Sequence, residues 1–245
     1  MVQGDTTKPE AILAQIPSLY GIFLVTLPNA NERDQAIPLI NAASASGVKH
    51  FIFTSADRGG PLKSEDDNYA SPIPHFEVKK GIEKYLKNIC EDGGMQYTIL
   101  RPTSFMDNLT PGFVGKTLAT MLKQMGNTKL ALIATKDIGR VAARAFEKPE
   151  KYAGQALTLS GDSLSFDEMN AIFKEETGGE MATTWEPLVN GLQWAIADLG
   201  ASMTYFREGG YGYEIDRNLS DELGMRDFGT WLREDSKFEM LEGRN

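Results

Sequence analysis

Two basic side chains in this sequence have types and spacing that suit proton transfer. His75 and Lys79 lie four residues apart in a stretch with helical periodicity, so a helix would bring them onto one face. Histidine exchanges protons near neutral pH, and an ammonium group stabilises negative charge on a nearby oxygen. Polar pairs at this spacing are also common on solvated helix surfaces. The spacing alone therefore leaves a catalytic pair and a solvated pair both open.

Two further polar residues stand where apolar segments end. Ser55 follows the apolar segment 51–54, and Arg101 follows the apolar segment 98–100 and precedes Pro102. A serine after a strand is often only a turn former, and an arginine there is often only a charged strand end. Both positions gain interest only if the strands lie side by side.

The elements that must position these residues alternate between strand and helix. Apolar segments predict strands, and the first of them, at 21–26, is apolar enough to be a fully buried strand. The predicted strands are 21–26, 48–55, 97–101, 129–134 and 155–160, and the predicted helices are 31–46, 76–90, 135–146, 165–177, 188–199 and 227–233. A polar loop is predicted at 56–71. The alternation predicts an α/β fold with a doubly wound parallel sheet.

Ligands of such sheets bind beyond the carboxyl ends of the strands. We therefore expect the ligand-binding residues in the segments 26–29, 55–60 and 101–108. A dinucleotide site would show G-x-G-x-x-G between the first strand and its helix, and the sequence has no such motif. The run 112–117 (GFVGKT) resembles part of a phosphate-binding P-loop, but no strand precedes it directly and its first glycine is replaced by Thr110.

Composition excludes several classes of protein. The 245 residues include one Cys, two His, 34 acidic and 25 basic residues, with a net charge of −9. One cysteine cannot form an internal disulfide, and these residues are too few for a Cys-rich metal cluster. The acidic balance opposes direct binding to nucleic acid or to an anionic membrane. Without a signal peptide or an apolar run of about 20 residues, we expect a cytoplasmic or nuclear location.

Five segments of the chain, taken together, resemble the sequence pattern of one protein family. They are 47–60 (GVKHFIFTSADRGG), 75–86 (HFEVKKGIEKYL), 98–108 (TILRPTSFMDN), 137–139 (DIG) and 151–161 (KYAGQALTLSG). Together they resemble the NmrA-like family of atypical short-chain dehydrogenase/reductase proteins, and the likeness is greatest for fungal members. The resemblance covers essentially the whole chain and implies a Rossmann-like sheet that binds NADP.

The same resemblance predicts a difference at the start of the chain. The segment 2–5 (VQGD) resembles the family segment that closes the third strand of the sheet. Two strand–helix units, about 60 residues with the Gly-rich phosphate loop, would then be missing. Because a helix N-terminus in that loop holds the pyrophosphate, we expect NADP binding to be weakened or lost.

The resemblance assigns roles to individual residues. It implies cofactor contacts at Thr26, Leu27, Pro28, Ser55, Lys79, Arg101 and Pro102, substrate contacts at Phe105 and Asn108, and catalytic roles for His75, Lys79 and Ser55. Reductases of the family use Tyr-x-x-x-Lys, and His75 stands at the tyrosine position. No metal is expected.

The predicted organisation is a truncated Rossmann-like core at 1–160, with helix 135–147 packed on it, and a C-terminal cap at 161–245 that does not fold independently. The cap carries aromatic residues that either line a substrate pocket or fill a core: Trp185, Trp194, Tyr205, Phe206 and Tyr211.

Three functions remain open from the sequence. The first is an NADP-dependent oxidoreductase that transfers hydride between NADPH and a small carbonyl, imine or enone in fungal specialised metabolism. The second is a non-catalytic, NADP-sensing negative regulator of transcription that binds a protein partner rather than DNA. The third is a truncated, inactive gene product. A monomer or a homodimer is expected in each case.

Overall fold

One sheet holds four strands in the structure, a computed structural model that describes residues 2–91, 93–211 and 213–241. The strands are β1 (Gly21–Val25), β2 (His50–Thr54), β3 (Gln96–Pro102) and β6 (Gln155–Leu159), and they lie in the order β1-β2-β3-β6. β2 pairs in parallel with β1 on one side and with β3 on the other. The predicted α/β fold with a parallel sheet is confirmed.

The chain divides into two compact units, and each is discontinuous along the sequence. The first unit contains Met1–Ala56, Pro74–Arg101 and Gly139–Thr158, and the second contains Asp57–Ile73, Pro102–Ile138 and Leu159–Asn245. The sequence predicts one boundary, at residue 160, whereas each of these units is built from three separate segments of the chain.

Two long helices of the first unit pack together and cover the sheet. The helices of this unit are α1 (Glu10–Leu13), α2 (Glu32–Ala45), α4 (Pro74–Glu91) and α7 (Pro149–Tyr152). Ile40 of α2 and Ile82 of α4 are fully buried in one core with Phe51 and Phe53 of β2. Burying each such side chain contributes about 1.5–3 kcal/mol. This apolar core holds the two helices against the strands.

The first strand is less buried than its sequence predicts. Leu24 is buried, but Phe23 and Val25 are 37% and 57% exposed. The reason is the position of β1 at the edge of the sheet, where no other strand of the described residues pairs with its outer side. The prediction of a fully buried strand was wrong, because an apolar run does not distinguish an edge strand from a central one.

The second unit has a small sheet and most of the helices. β5 (Leu130–Ile133) pairs in parallel with β4 (Ser104–Phe105) and antiparallel with β7 (Asp162–Leu164). Its helices are α3 (Pro61–Glu65), α5 (Phe113–Gln124), α8 (Phe166–Thr177), α9 (Glu186–Ala195), α10 (Ala197–Arg207), α11 (Arg217–Leu223) and α12 (Phe228–Glu234), and Met106–Asn108 forms a 3-10 turn. The helix α6 (Thr135–Glu147) begins in this unit and continues into the first.

The predicted start and end of α8 are confirmed. The Ser165 hydroxyl accepts a hydrogen bond from the Glu168 backbone N–H, and the Glu168 carboxylate accepts one from the Ser165 N–H. Gly178 ends the helix with φ of 79°, a conformation that favours glycine.

Two local predictions differ from the structure. The segment 2–5 is not a strand, because its residues are exposed and pair with no neighbouring strand. The segment 56–71 is not simply a polar loop, since Ala56 to Gly60 are all buried and α3 follows them. The helices α1, α3, α5, α7 and α11 and the strands β4 and β7 were not predicted, and all of them except α5 have seven residues or fewer. The predicted helix 188–199 is two helices, α9 and α10.

A buried histidine makes the first unit sensitive to acid. Thr98 donates its hydroxyl proton to the Tyr152 carbonyl (2.8 Å), so the His50 Nε2, also 2.8 Å from the Thr98 Oγ1, must itself donate. His50 Nδ1 has no hydrogen-bond partner in the described structure. Burial lowers the pKa of His50 below its ordinary value of 6.5, so the folded state holds the ring neutral.

We therefore expect the free energy of unfolding to fall as the pH drops below about 6.5, because the unfolded chain then binds a proton that the folded chain resists. The loss levels off once the pH passes the lowered pKa of the folded state. Urea unfolding at pH 8 and pH 5.5 measures the difference. His50→Asn should reduce the pH dependence of the free energy of unfolding, whereas the control His75→Asn should keep it. An equal pH dependence in the two variants would contradict the assignment of the effect to His50.

Candidate functional site at the carboxyl edge of the main sheet

The register of the main sheet brings three predicted site residues to one edge. Val25 pairs with Thr54, and Thr54 pairs with Leu100, so these three residues form one row across the three strands. The Ser55 N–H donates to the Leu100 carbonyl (2.7 Å), which continues the pairing by one residue. The next residues along the chain, Thr26, Ser55 and Arg101, therefore form the following row, in which β1 and β2 have ended and β3 continues to Pro102.

The Lys79 ammonium is held at this edge by oxygen atoms from three elements. Its Nζ lies 2.7 Å from Glu32 Oε1, 3.1 Å from Thr26 Oγ1 and 3.3 Å from the Thr54 carbonyl oxygen. Lys79 is only 6% exposed. A buried ammonium is stable only when it is paired and hydrogen-bonded, as it is here. The interpretation of Lys79 as a solvated surface residue was wrong.

Sequence reasoning missed Glu32, the partner of this lysine. Glu32 is the first residue of α2 and is 1% exposed. Its Oε1 accepts the hydroxyl proton of Thr26 (2.6 Å), and its Oε2 has no hydrogen-bond partner. An acidic residue in the first turn of a helix is usually explained by the helix dipole. The only available signal was its place just after the loop at the end of the first strand.

Two more buried hydroxyl groups at this edge have no partner. Ser55 Oγ and Thr54 Oγ1 make no hydrogen bond within the described structure, although both residues are about 5% exposed or less. Buried polar atoms are normally satisfied, so such atoms mark a place where a ligand, a water molecule or a small rearrangement completes the site. Ser55 thus remains a candidate for contact with a bound molecule.

His75 lies in the first turn of α4, one turn before Lys79, as its spacing predicts. The imidazole is half-buried and packs edge-to-face against the Phe76 ring, with centroids 4.7 Å apart. Lys79 Nζ stands 5.4 Å from the centroid of the Phe53 ring. Aromatic contacts of this kind fix side-chain orientation. The helix therefore brings His75 and Lys79 to the same end of the first unit.

Arg101 is engaged in a different interaction from the one predicted. Its guanidinium forms a buried, forked ion pair with Glu83 of α4, with Nη2–Oε2 at 2.6 Å and Nε–Oε1 at 3.1 Å. Both side chains are less than 5% exposed. The pair ties β3 to α4, and the role of Arg101 in cofactor binding stays a prediction.

The other predicted residues fall into two groups. Leu27 is 75% exposed and Pro28 is also exposed, on the loop that follows β1 in the first unit. Pro102, Phe105 and Asn108 belong to the second unit, where Phe105 and Asn108 are exposed and the buried Pro102 accepts the Asp57 N–H at its carbonyl oxygen (3.0 Å). Their contacts with cofactor or substrate stay predictions.

A buried carboxylate organises the second unit. Asp57 accepts hydrogen bonds from the backbone N–H groups of Gly59 and Gly60 and from the hydroxyls of Ser64 and Tyr213. Burial raises the pKa of Asp57 above its ordinary value, and these four donors act against that rise. The arrangement closes the loop 57–64 onto the C-terminal part of the same unit.

Three of the aromatic residues that were predicted to line a pocket or fill a core are buried in the second unit, next to the loop 57–64. Tyr205, Phe206 and Tyr211 are buried, and the Tyr205 and Tyr211 hydroxyls donate to the Arg58 and Asp57 carbonyls (2.7 and 2.9 Å). Trp185 and Trp194, by contrast, are 70% and 89% exposed.

The parallel sheet, the helices packed on it and the buried lysine at the ends of β1 and β2 define a Rossmann-like α/β protein. Residues 1–225 match the NmrA-like family. The chain belongs to the NmrA-like family, as its sequence segments predict.

Three similar proteins are named as an azoreductase, a dehydrogenase and an assembly factor. The chain is 25% identical over 177 residues to the NAD(P)H azoreductase of Xenophilus azovorans, covering 71% of this chain and 57% of that protein. It is 28% identical over 165 residues to the agroclavine dehydrogenase of Claviceps fusiformis (64% and 50%), and 28% identical over 240 residues to the photosystem II assembly factor Ycf39 of Trieres chinensis (92% and 66%). The matches thus span between half and two thirds of the length of these relatives.

Solved structures support the fold. The NADPH complex of an Escherichia coli quinone oxidoreductase has a TM-score of 0.67 at 19% identity, covering 93% of this chain and 80% of that one. A nucleoside-diphosphate-sugar epimerase from Staphylococcus aureus has the same TM-score at 18% identity, with 94% and 82% covered. At such identities the likeness establishes the fold alone.

Two kinds of feature are absent from the part of the chain that the structure describes. No three His, Cys, Asp or Glu side chains are grouped as a metal ion requires. No helix there is long and apolar enough to span a membrane.

Proposed function

We propose that the protein is an NADP-dependent oxidoreductase that transfers hydride between NADPH and a small carbonyl, imine or enone. The observation that carries the proposal is the buried Lys79 ammonium at the carboxyl edge of the sheet, bonded to the Thr54 carbonyl oxygen one residue before the unpartnered Ser55 hydroxyl. Relatives named as azoreductase and quinone oxidoreductase support the reaction class. An NmrA-like family domain-containing oxidoreductase of Aspergillus hancockii supports the same reaction class, and we place the reaction in fungal specialised metabolism as part of the proposal.

The residues at this edge fit one half of NADP and not the other. The unpartnered Ser55 hydroxyl suits a ribose or amide oxygen of the nicotinamide half, and the Lys79 ammonium supplies positive charge at the same strand end. The helix that follows β1 carries the exposed carboxylate of Asp34 in its first turn, and this charge would repel a pyrophosphate. Within this chain, Lys79 and Ser55 would hold the nicotinamide end.

Each side chain then has a defined task. When bound, NADPH supplies the hydride. Glu32 and Thr26 fix the Lys79 ammonium in place, so that its positive charge can stabilise an oxygen that gains negative charge. The His75 imidazole holds or accepts a proton at a ring nitrogen, the task that tyrosine performs in the reductases this sequence resembles. Ser55 donates a hydrogen bond and orients the bound molecule.

Titration calorimetry on the 245-residue chain tests the binding site. We expect NADPH to bind weakly, with an affinity similar to that of reduced nicotinamide mononucleotide, because only the nicotinamide half finds partners. Ser55→Ala should weaken both ligands. NADPH binding in the low micromolar range, far tighter than the mononucleotide, would contradict this division. NADPH oxidation with quinone and enone acceptors tests the reaction, and a rate that survives His75→Ala and Lys79→Ala would remove the catalytic pair.

One feature favours a second candidate, the non-catalytic NADP-sensing regulator. His75 stands where the resembling reductases have tyrosine, and loss of that tyrosine would end turnover while leaving the lysine to bind cofactor. A regulator would bind the nicotinamide half but turn over no acceptor, and a protein partner would co-purify with it. An inactive gene product would bind neither the nicotinamide half of the cofactor nor a protein partner.

A further inference from the structure

The second unit contains an apolar cavity that is independent of the sheet edge. Its volume is about 260 Å³. Its walls are formed mainly by Leu109, Ala119, Phe173, Met181 and Phe238. Phe173 and Phe238 meet edge-to-face with their centroids 4.8 Å apart. An engineered apolar cavity of about 150 Å³ binds benzene, so this volume suits a molecule of two fused rings.

A single cation stands among these apolar walls. Lys116 lines the cavity, is exposed, and makes no ion pair within the described residues. The other charged lining residue, Glu180, is paired with Lys174 (3.3 Å). The uncompensated charge in the lining is therefore positive.

The backbone at the start of α5 adds to this charge. The N-cap residue Gly112 offers no side-chain acceptor to the backbone N–H groups of the first turn, and the helix N-terminus carries partial positive charge. A Cβ at Gly115 would overlap the Thr110 carbonyl oxygen, so glycine is required for this close turn. The run 112–117, which resembles part of a P-loop, thus forms one wall of the cavity. The apolar interior excludes a phosphate as the main ligand.

We propose that this cavity binds a small aromatic carboxylic acid. The ring packs against Phe173 and Phe238, and the carboxylate lies at Lys116 and the first turn of α5. Apolar walls with a few convergent polar groups are the usual composition of a small-molecule site. The proposal does not depend on the oxidoreductase function, because no residue of the cavity belongs to the sheet edge.

Calorimetric titration with three matched probes tests the proposal. The probes are 2-naphthoate, neutral 2-naphthol and cationic 2-naphthylmethylamine. We expect saturable binding of 2-naphthoate, weaker binding of the naphthol and the weakest binding of the amine. An amine that binds as well as the acid would assign recognition to Glu180 and overturn the proposal, as would the absence of saturable binding by any probe.

Variants locate the site. Lys116→Gln should weaken the binding of 2-naphthoate about fivefold, the size expected of a charge pair at a protein surface, and leave the affinity for 2-naphthol unchanged. Lys123→Gln is the matched control, because this exposed lysine lies on the same helix and does not line the cavity. Equal losses in both variants would indicate non-specific attraction and overturn the proposal.

A second pair of variants fills the cavity. Ala119→Leu should abolish binding of all probes, and thermal unfolding checks that the buried substitution is tolerated. Ala182→Phe is the second variant, since Ala182 lines the cavity but is exposed, so that a larger side chain costs the fold little. Unchanged binding in a folded Ala182→Phe or Ala119→Leu protein would place the ligand elsewhere and overturn the proposal.

Discussion

Replacing Lys79 with methionine lowers the free energy of unfolding by about 3–5 kcal/mol, because it leaves a buried charge without its partner. Glu32 is 1% exposed, and its Oε1 would keep only the hydrogen bond from Thr26. Methionine has nearly the length of lysine, so little of the loss should come from a cavity. Urea unfolding at neutral pH measures the change.

The double variant Lys79→Met, Glu32→Gln separates charge from packing. With both charges removed, we expect most of the stability to return, since a neutral buried pair costs far less than one buried charge. The double-mutant cycle should therefore give a coupling free energy of about 2–3 kcal/mol. Additive losses would mean that the 2.7 Å ion pair contributes nothing specific. Neither variant is expected to bind the nicotinamide half as the parent chain does.

The second large effect is expected at Asp57 in the other unit. Asp57→Ala leaves two backbone N–H groups and two hydroxyls without an acceptor, in a loop whose residues 57–60 are all buried. Each unsatisfied buried donor costs about 1–3 kcal/mol, although water entering the space offsets part of the loss. We expect a total loss of about 3–4 kcal/mol in the free energy of unfolding.

Asp221→Ala is the control for this experiment. Asp221 is an exposed carboxylate in α11 of the same unit, and its replacement should change stability by less than about 0.5 kcal/mol. Tyr213→Phe should cost about 1 kcal/mol, because it removes one donor of the four. An Asp57→Ala protein as stable as the Asp221 variant would show that the loop does not depend on the carboxylate.

The main strands and helices of the first unit follow from local sequence patterns. Apolar runs gave β1, β2 and β3, and glycines such as Gly47 marked where helices end. The edge position of β1 could not be predicted, because exposure depends on which strands lie beside it rather than on its own residues. The position of Thr26 and Ser55 at one edge of the sheet followed from the general rule that sites lie beyond the carboxyl ends of parallel strands.

The candidate site was predicted in part. The spacing of His75 and Lys79 identified the helix face, but it did not reveal Glu32, which is 47 positions away from Lys79 along the chain and meets it only after folding. Arg101 and Asp57 illustrate the same limit, since a buried ion pair and a solvated charge look alike in sequence. Partners of buried charges are set by tertiary packing, which a single sequence does not encode locally.

The interleaving of the two units limits how this protein can be divided. The chain passes from one unit to the other after Ala56, Ile73, Arg101, Ile138 and Thr158. No single truncation point therefore yields a fragment with one complete unit. Half-molecule expression, split-reporter fusions and domain exchange with a relative would each separate segments of one hydrophobic core. Engineering of this chain has to leave the crossing segments intact, so substitutions belong at exposed side chains such as Leu62.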